Sequence, residues 1–253
     1  MVRQSAKYQQ IYRIKVWRMK LRLDKYLADM GLGSRTEVKE LVRNGQIYVN
    51  GWRVRKADIK VDTETDVVER NHEPIIYAPF EYWMLNKPAG VVSATRDDGS
   101  ETVVELVKGR ARKDLFPVGR LDKDTVGLLL ITNDGQLAHR LLAPGKHVDK
   151  VYFARLDHDA SAEDVQAFAD GLDIGDDKPT LPAQLEILCE EHANEVLVTL
   201  HEGRYHQVKR MFEARGNKVA YLKRVSMGAL VLDPALAEGE SRRLTEEELA
   251  ALA

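Results

Sequence analysis

Asp122 follows Gly119-Arg120-Leu121 and leads into an unbroken apolar run, Val126 to Ile131, that Asn133-Asp134-Gly135 closes. A carboxylate beside an arginine in a tight turn has two chemical uses. The carboxylate can act as a nucleophile or general base, and the guanidinium can hold a phosphate or a carboxylate. It also has a structural use, because an aspartate in a glycine turn is a common turn former or helix cap, and spacing alone does not choose. Asp124, two residues on, would complete a carboxylate pair for general acid–base work. Metal chemistry has less support. The seven histidines show no HxxxH or HxxEH spacing, and the single cysteine, Cys189, leaves neither a disulfide framework nor a cysteine-rich zinc site.

A loop aspartate is held by the elements around it. Tyr82-Trp83-Met84-Leu85 reads as a strand ended by Asn86-Lys87-Pro88, where Pro88 and Gly90 shape a turn and Lys87 needs no chemical role. Residues 102–107 suit a short helix. Residues 136–143 suit another, with Leu137, Leu141 and Leu142 buried and Pro144-Gly145 breaking it. Lys150-Val151-Tyr152 enters a strand, where Tyr152 by itself reads as half in the core. Residues 161–169 have helical period, with Glu163 and Asp164 in the first turn where the helix dipole favours them. Strands are expected at 183–188 and 195–201, with Cys189 a buried strand thiol. Residues 205–214 place Val208, Met211 and Phe212 on one helical face, stopped by Gly216. Residues 217–231 return as two strands, and Thr245 with Glu248 caps a closing helix.

At 253 residues, with 44% hydrophobic content, the chain can hold a small and a larger globular domain. No apolar run approaches the roughly 18–20 residues of a membrane span, and no signal-peptide core opens the chain, so a cytoplasmic location is expected. Charge is uneven. Residues 1–70 carry 16 Lys and Arg against 9 Asp and Glu, a net of +7, while the remaining 183 carry 22 against 31, a net of −9. A basic head on an acidic body suits a polyanionic partner. Residues 1–20 read as a basic, disordered extension, within which Met19 would itself make a natural start.

From Leu21 the pattern sharpens. Leu23, Tyr26, Leu27 and Met30 lie on one helical face, Gly31 and Gly33 end that helix, and Ser34 with Glu37 opens a second one on Val38, Leu41 and Val42. Gln46 to Val49 alternates as a strand between Asn44-Gly45 and Asn50-Gly51, and Trp52 begins the return strand. The stretch LRLDKYLADMGLGSRTEVKELVRNGQIYVNG resembles the S4 RNA-binding domain, here 21–68. The resemblance implies RNA contact at Arg22, Lys25, Ser34, Arg35, Lys39 and Arg43, with phosphate neutralisation as their task. Residues 69–79 then read as a linker that hinges the head to a body of 80–253.

GRLDKDTVGLLLITNDG is similar to the signature of the pseudouridine synthases of the RsuA/RluB type, and MLNKPAGVVS, Lys-Val-Tyr at 150–152 and EGRYHQVKRMFEARGNKV match further motifs in order. The resemblance implies an α+β fold: the S4-like head, then a mixed, mostly antiparallel sheet flanked by helices. It implies isomerisation of a uridine in ribosomal RNA to its C-glycoside, with Asp122 as the catalytic carboxylate. Tyr152 would stack on the flipped uracil, Lys209 would pair with Asp122, and Val208 would pack beneath the base. Arg120 would hold the everted nucleotide, Arg204 and Arg210 would face RNA, and Asp124 would be structural. An isomerisation needs no cofactor and no metal. EGRYHQVKRMF is closest to the RsuA branch, so small-subunit (16S) ribosomal RNA, or a small-subunit assembly intermediate, is the expected partner of a monomer. Two alternatives stand beside this: a large-subunit (23S) synthase of the RluB type, and an RNA-binding assembly factor without catalysis. The presence of Asp122, Tyr152 and Lys209 together argues against the latter.

Overall fold

The computed structural model describes residues 19–143 and 147–252. Residues 1–18 of the disordered extension expected at 1–20, and the helix break expected at Pro144-Gly145, lie outside the described residues, while Lys20, at the end of that extension, is ordered in a strand that pairs with Asp62. The chain divides into two units. One comprises residues 19–81 together with Gly109–Asp114, and the other comprises Tyr82–Lys108 and residues 115–252.

In the first unit, β1 (Lys20–Arg22) pairs antiparallel with β4 (Lys60–Asp62). Helices α1 (Leu23–Asp29) and α2 (Arg35–Arg43) follow β1 and bury the predicted apolar positions Leu23, Tyr26, Leu27, Val38 and Val42. The Ser34–Glu37 capping box forms in both directions: Glu37 N–H donates to Ser34 Oγ at 3.3 Å and Ser34 N–H to Glu37 Oε2 at 2.6 Å. Strands β2 (Ile47–Val49), β3 (Trp52–Arg53), β5 (Val68–Arg70) and β6 (Glu73–Pro74) form a sheet in the order β3-β2-β5-β6. The segment expected to be a linker is structured. Residues 69–74 make the β5–β6 hairpin, the Tyr26 hydroxyl donates to Ile75 O at 2.6 Å, and the Tyr77 hydroxyl donates to Asp29 Oδ2 at 2.9 Å. Isolated polar residues at 69–74 disguised a hairpin whose register comes from its partner strand β2. Arg112, in the Gly109–Asp114 segment, bridges Asp114 at 2.7 Å and Asp29 at 3.3 Å.

The second unit is built on β7 (Tyr82–Lys87), β8 (Phe116–Pro117), β9 (Val126–Thr132), β10 (Lys150–Leu156), β11 (Gln184–Ile187), β12 (Glu195–Leu200), β13 (Val219–Met227), β14 (Leu230–Val231) and β15 (Ser241–Arg243). The order is β11-β12-β10-β13-β9-β7-β15, with β8 on β9 and β14 on β13. Every pairing is antiparallel except β9 with β13. The fold is thus α+β with a mixed, mostly antiparallel sheet. All of β9 is buried, which its unbroken apolar run required. Leu128 and Leu130 pack with α3 (Gly135–Leu142) and α6 (Glu246–Ala251), while Leu129 and Ile131 pack on the other face against Val103, Val104 and Val107. Toward the β11 edge, α4 (Ala162–Asp170) and α5 (Gln207–Glu213) pack on β11, β12, β10 and β13, with the Phe168 and Phe212 rings 4.8 Å apart.

Three local expectations change. Residues 102–107 form turns and a bridge from Thr102 to Val92 rather than a helix; their β-branched valines lose little as extended or turn residues and fill the core under β9. Cys189 is exposed, because β11 ends at Ile187 and the chain turns through a short 3₁₀ helix at Glu190–His192. Leu142 ends α3 exposed.

Gly127 sits at the parallel β9–β13 pairing, at φ +101°, and a Cβ there would lie 2.3 Å from Arg224 O. Gly127→Ala is expected to cost about 2–4 kcal/mol, because backbone atoms must part and an L-residue disfavours that φ. A urea midpoint unchanged from wild type would contradict this.

Candidate active site

The Asp122 loop joins β8 to β9 and is fixed from below by the segment after β7. Ser93 Oγ accepts from Leu121 N–H at 3.0 Å and donates to Leu121 O at 2.8 Å. Gly90 N–H donates to Lys123 O at 2.7 Å. Lys87 is fully buried, and its ammonium donates to Thr125 O at 2.8 Å, Pro88 O at 3.0 Å and Lys123 O at 3.2 Å. Burial pushes the Lys87 pKa down to about 8, with the charges of Asp124 and Asp122 acting in the opposite direction. The sequence reading gave Lys87 no role. Its signal was a lysine closing a mostly apolar strand.

Above this loop is an open cleft of about 90 Å³ lined by Arg120, Asp122, Thr125, Tyr152, His206 and Val208, among others. Asp122 Oδ2 lies 3.3 Å from Lys209 Nζ, and Oδ1 lies 3.6 Å from His206 Nε2. The Asp122 side chain keeps 26% of its surface, so it is held yet reachable. Lys209 also meets Asp124 Oδ1 at 2.6 Å, closer than Asp122. Burial opposes the Lys209 charge, but the hydrogen bond to Asp124 and the charges of both carboxylates outweigh it and hold its pKa above the ordinary lysine value. The hydrogen bond from Lys209 in turn keeps the Asp124 carboxyl below the usual range. Tyr152 comes from β10, half-buried, and Val208 from α5, buried. Arg120 is exposed on the cleft.

Sequence reasoning named Asp122, Tyr152, Lys209, Arg120 and Val208, and all five border or meet in this cleft. Two arginines differ from expectation. Arg204 borders the cleft, but its guanidinium donates to Glu202 Oε2 at 3.0 Å, Lys178 O at 2.6 Å and Pro179 O at 2.7 Å. Arg210 is held by Asp176 Oδ1 at 2.6 Å and by Ile174 O. Both tie the 174–179 loop to α5 instead of facing outward, because Asp176 sits between them. His206 was missed as a site residue. It caps α5 in the left-handed region (φ 49°, ψ 34°), which costs a non-glycine residue about 1–2 kcal/mol. No sequence spacing signals that turn.

In the head, Arg35, Lys39 and Arg43 fall at i, i+4 and i+8 along α2 and are exposed. Arg22 pairs with Asp24 at 2.8 Å and Lys25 with Asp29 at 2.8 Å, while the Ser34 hydroxyl is the α2 cap.

The profile of the RNA pseudouridylate synthase family matches residues 81–214, and that of the S4 domain matches 21–68. The chain belongs to the RNA pseudouridine synthase family. It is 51% identical over 231 residues, 90% of this chain and 97% of the other, to the Bacillus subtilis protein described as "Uncharacterized RNA pseudouridine synthase YtzG". It is 44% identical to the ribosomal small subunit pseudouridine synthase A of Pseudomonas aeruginosa, over 90% of this chain and 99% of that one. The protein of the same name from Escherichia coli K12 is 39% identical, over 92% and 100%. A crystal structure titled as a pseudouridylate synthase superposes with a TM-score of 0.65 at 38% identity, covering 92% of this chain and all of the other. As a synthase of this family, the protein holds its Asp122 loop on hydrogen bonds that Lys87 donates to backbone carbonyls. Lys87→Met keeps the volume and removes all three donors. The expected cost is about 2–4 kcal/mol, as the carbonyls of Pro88 and Thr125 lose this donor and that of Lys123 keeps Gly90 N–H, with turnover falling more than RNA affinity. Chemical denaturation beside steady-state kinetics reads both.

Proposed function

We propose that this synthase isomerises one uridine of small-subunit (16S) ribosomal RNA to pseudouridine, with Asp122 as the catalytic carboxylate. The observation that carries the reading is the Asp122 carboxylate, reachable in a cleft, with Lys209 at 3.3 Å and an aromatic and an apolar wall beside it. The names of the relatives at 39–44% identity support the small-subunit choice.

The chemistry follows from the groups. A uridine within folded RNA hides its glycosidic bond, so the nucleotide must turn out of the stack at a cost of roughly a few kcal/mol. Tyr152 offers the base a stacking face, worth about 1–3 kcal/mol, and Val208 gives it an apolar floor. Arg120 holds a backbone phosphate, for which a planar and permanently charged group is suited. Asp122 acts where electrons are withdrawn as the N1–C1′ bond breaks, either by bonding to the nucleotide or by stabilising and deprotonating the sugar. The uracil turns within the cleft and C5 bonds to C1′. The C5 proton leaves to solvent and N1 ends protonated, so no atom or electron is gained. Lys209 stays charged through the neutral range and keeps Asp122 ionised and aimed. The S4 head adds affinity through Arg35, Lys39 and Arg43 on α2.

Tritium placed at uridine C5 of ribosomal RNA transcripts is released by this reaction. Wild type is expected to release it from the small-subunit transcript, and Asp122→Asn to lose release by on the order of 10⁴-fold or more. Release from large-subunit RNA instead would move the substrate, and tight binding without release from either RNA would support an assembly factor. Replacing Arg35, Lys39 and Arg43 together by Ala is expected to flatten the plot of log K against log salt by roughly 2, at about 0.7 for each phosphate that is no longer neutralised. An unchanged slope would remove α2 from the RNA interface.

A further inference from the structure

Tyr205 is 74% exposed, and among the described residues of its unit it is the one aromatic found with the exposed large apolar side chains. Its ring lies flat on that of His206, centroids 3.9 Å apart and planes 16° from parallel. Neighbouring side chains on an extended chain point to opposite sides. The left-handed turn at His206 brings these two together. The inner ring of the pair lines the cleft, with its Nε2 3.6 Å from Asp122 Oδ1. The pair therefore runs from the reacting carboxylate outward to an open aromatic face at the rim.

We propose that Tyr205 is a stacking platform for the RNA base adjacent to the uridine held in the cleft. The inference rests on the reading of the preceding section. When one nucleotide leaves a stack, its neighbours lose the faces they stacked on. A ring at the rim of the cleft returns one such face to the flanking base. Stacking on an aromatic accepts any base, so the platform grips the strand without fixing its sequence. Exposed Arg120, lining the same cleft, supplies the positive charge for the phosphate that joins the two nucleotides.

The test is steady-state kinetics and filter binding at one salt concentration. It uses whichever C5-tritiated ribosomal RNA transcript the wild type modifies, with Tyr205→Ala, Tyr205→Leu and Tyr205→Phe. The expected result is a rise of about tenfold in KM and Kd for the Ala and Leu variants, within the roughly 5- to 150-fold that one base–aromatic stack represents, with kcat within about twofold. Phe should match wild type within about twofold, since it keeps the ring. Unchanged KM and Kd in Tyr205→Ala would overturn the inference, as would rescue by Leu equal to rescue by Phe. A fall in kcat with KM and Kd unchanged would also overturn it, and would make Tyr205 a prop for His206. In each of those cases wild-type release persists and the proposed function stands. Absence of release by the wild type from both ribosomal RNAs would remove the proposed function and this inference with it.

Discussion

Lys87 is a buried ammonium whose hydrogen bonds all run to backbone carbonyls, and two of those carbonyls flank Asp124 in the loop that carries Asp122. Leaving a charge in the interior is unfavourable unless its donors are matched. The loop is therefore not free to relax away from Lys87, because doing so would strand the charge. The same loop is fastened at Leu121 by Ser93 and at Lys123 by Gly90. The segment from Lys87 to Ser93 thus decides where the Asp122 carboxylate points. Preorganisation of this kind is what lets a single carboxylate act without reorganising the protein during reaction.

Above that floor, Lys209 is shared. Its shorter contact is to Asp124, which is largely exposed, and its longer one is to Asp122, which lines the cleft. A carboxylate that must meet a substrate is better served by a cation that neutralises it from a distance than by one that blocks its lone pairs. Asp124 holds the ammonium in place and leaves Asp122 accessible. Arg210 on α5 and Arg204 just before it do comparable work, anchoring the 174–179 loop through Asp176, so their charge is used within the protein.

Much of this was legible in the residues. The all-apolar run after Asp122 announced a strand buried on both faces, and β9 is one. The capping boxes at Ser34 and Thr245 are local chemistry, and both form. Where the reading failed, the deciding partner lay far along the chain. Lys87 meets carbonyls at Lys123 and Thr125, Tyr26 bonds to Ile75, and the 102–107 segment follows the core it fills instead of its local period.

The sequence by itself determined most of the elements, because period, caps and turns act within a few residues, and its resemblance to the synthase family pointed to Asp122, Tyr152 and Lys209. Tertiary structure alone decided that Lys209 is divided between two carboxylates, that Arg204 is bound inward and that His206 lies beside Asp122. Those outcomes depend on distances between strands and helices that are remote in the chain. No local preference encodes such a distance, and only the packed sheet sets it.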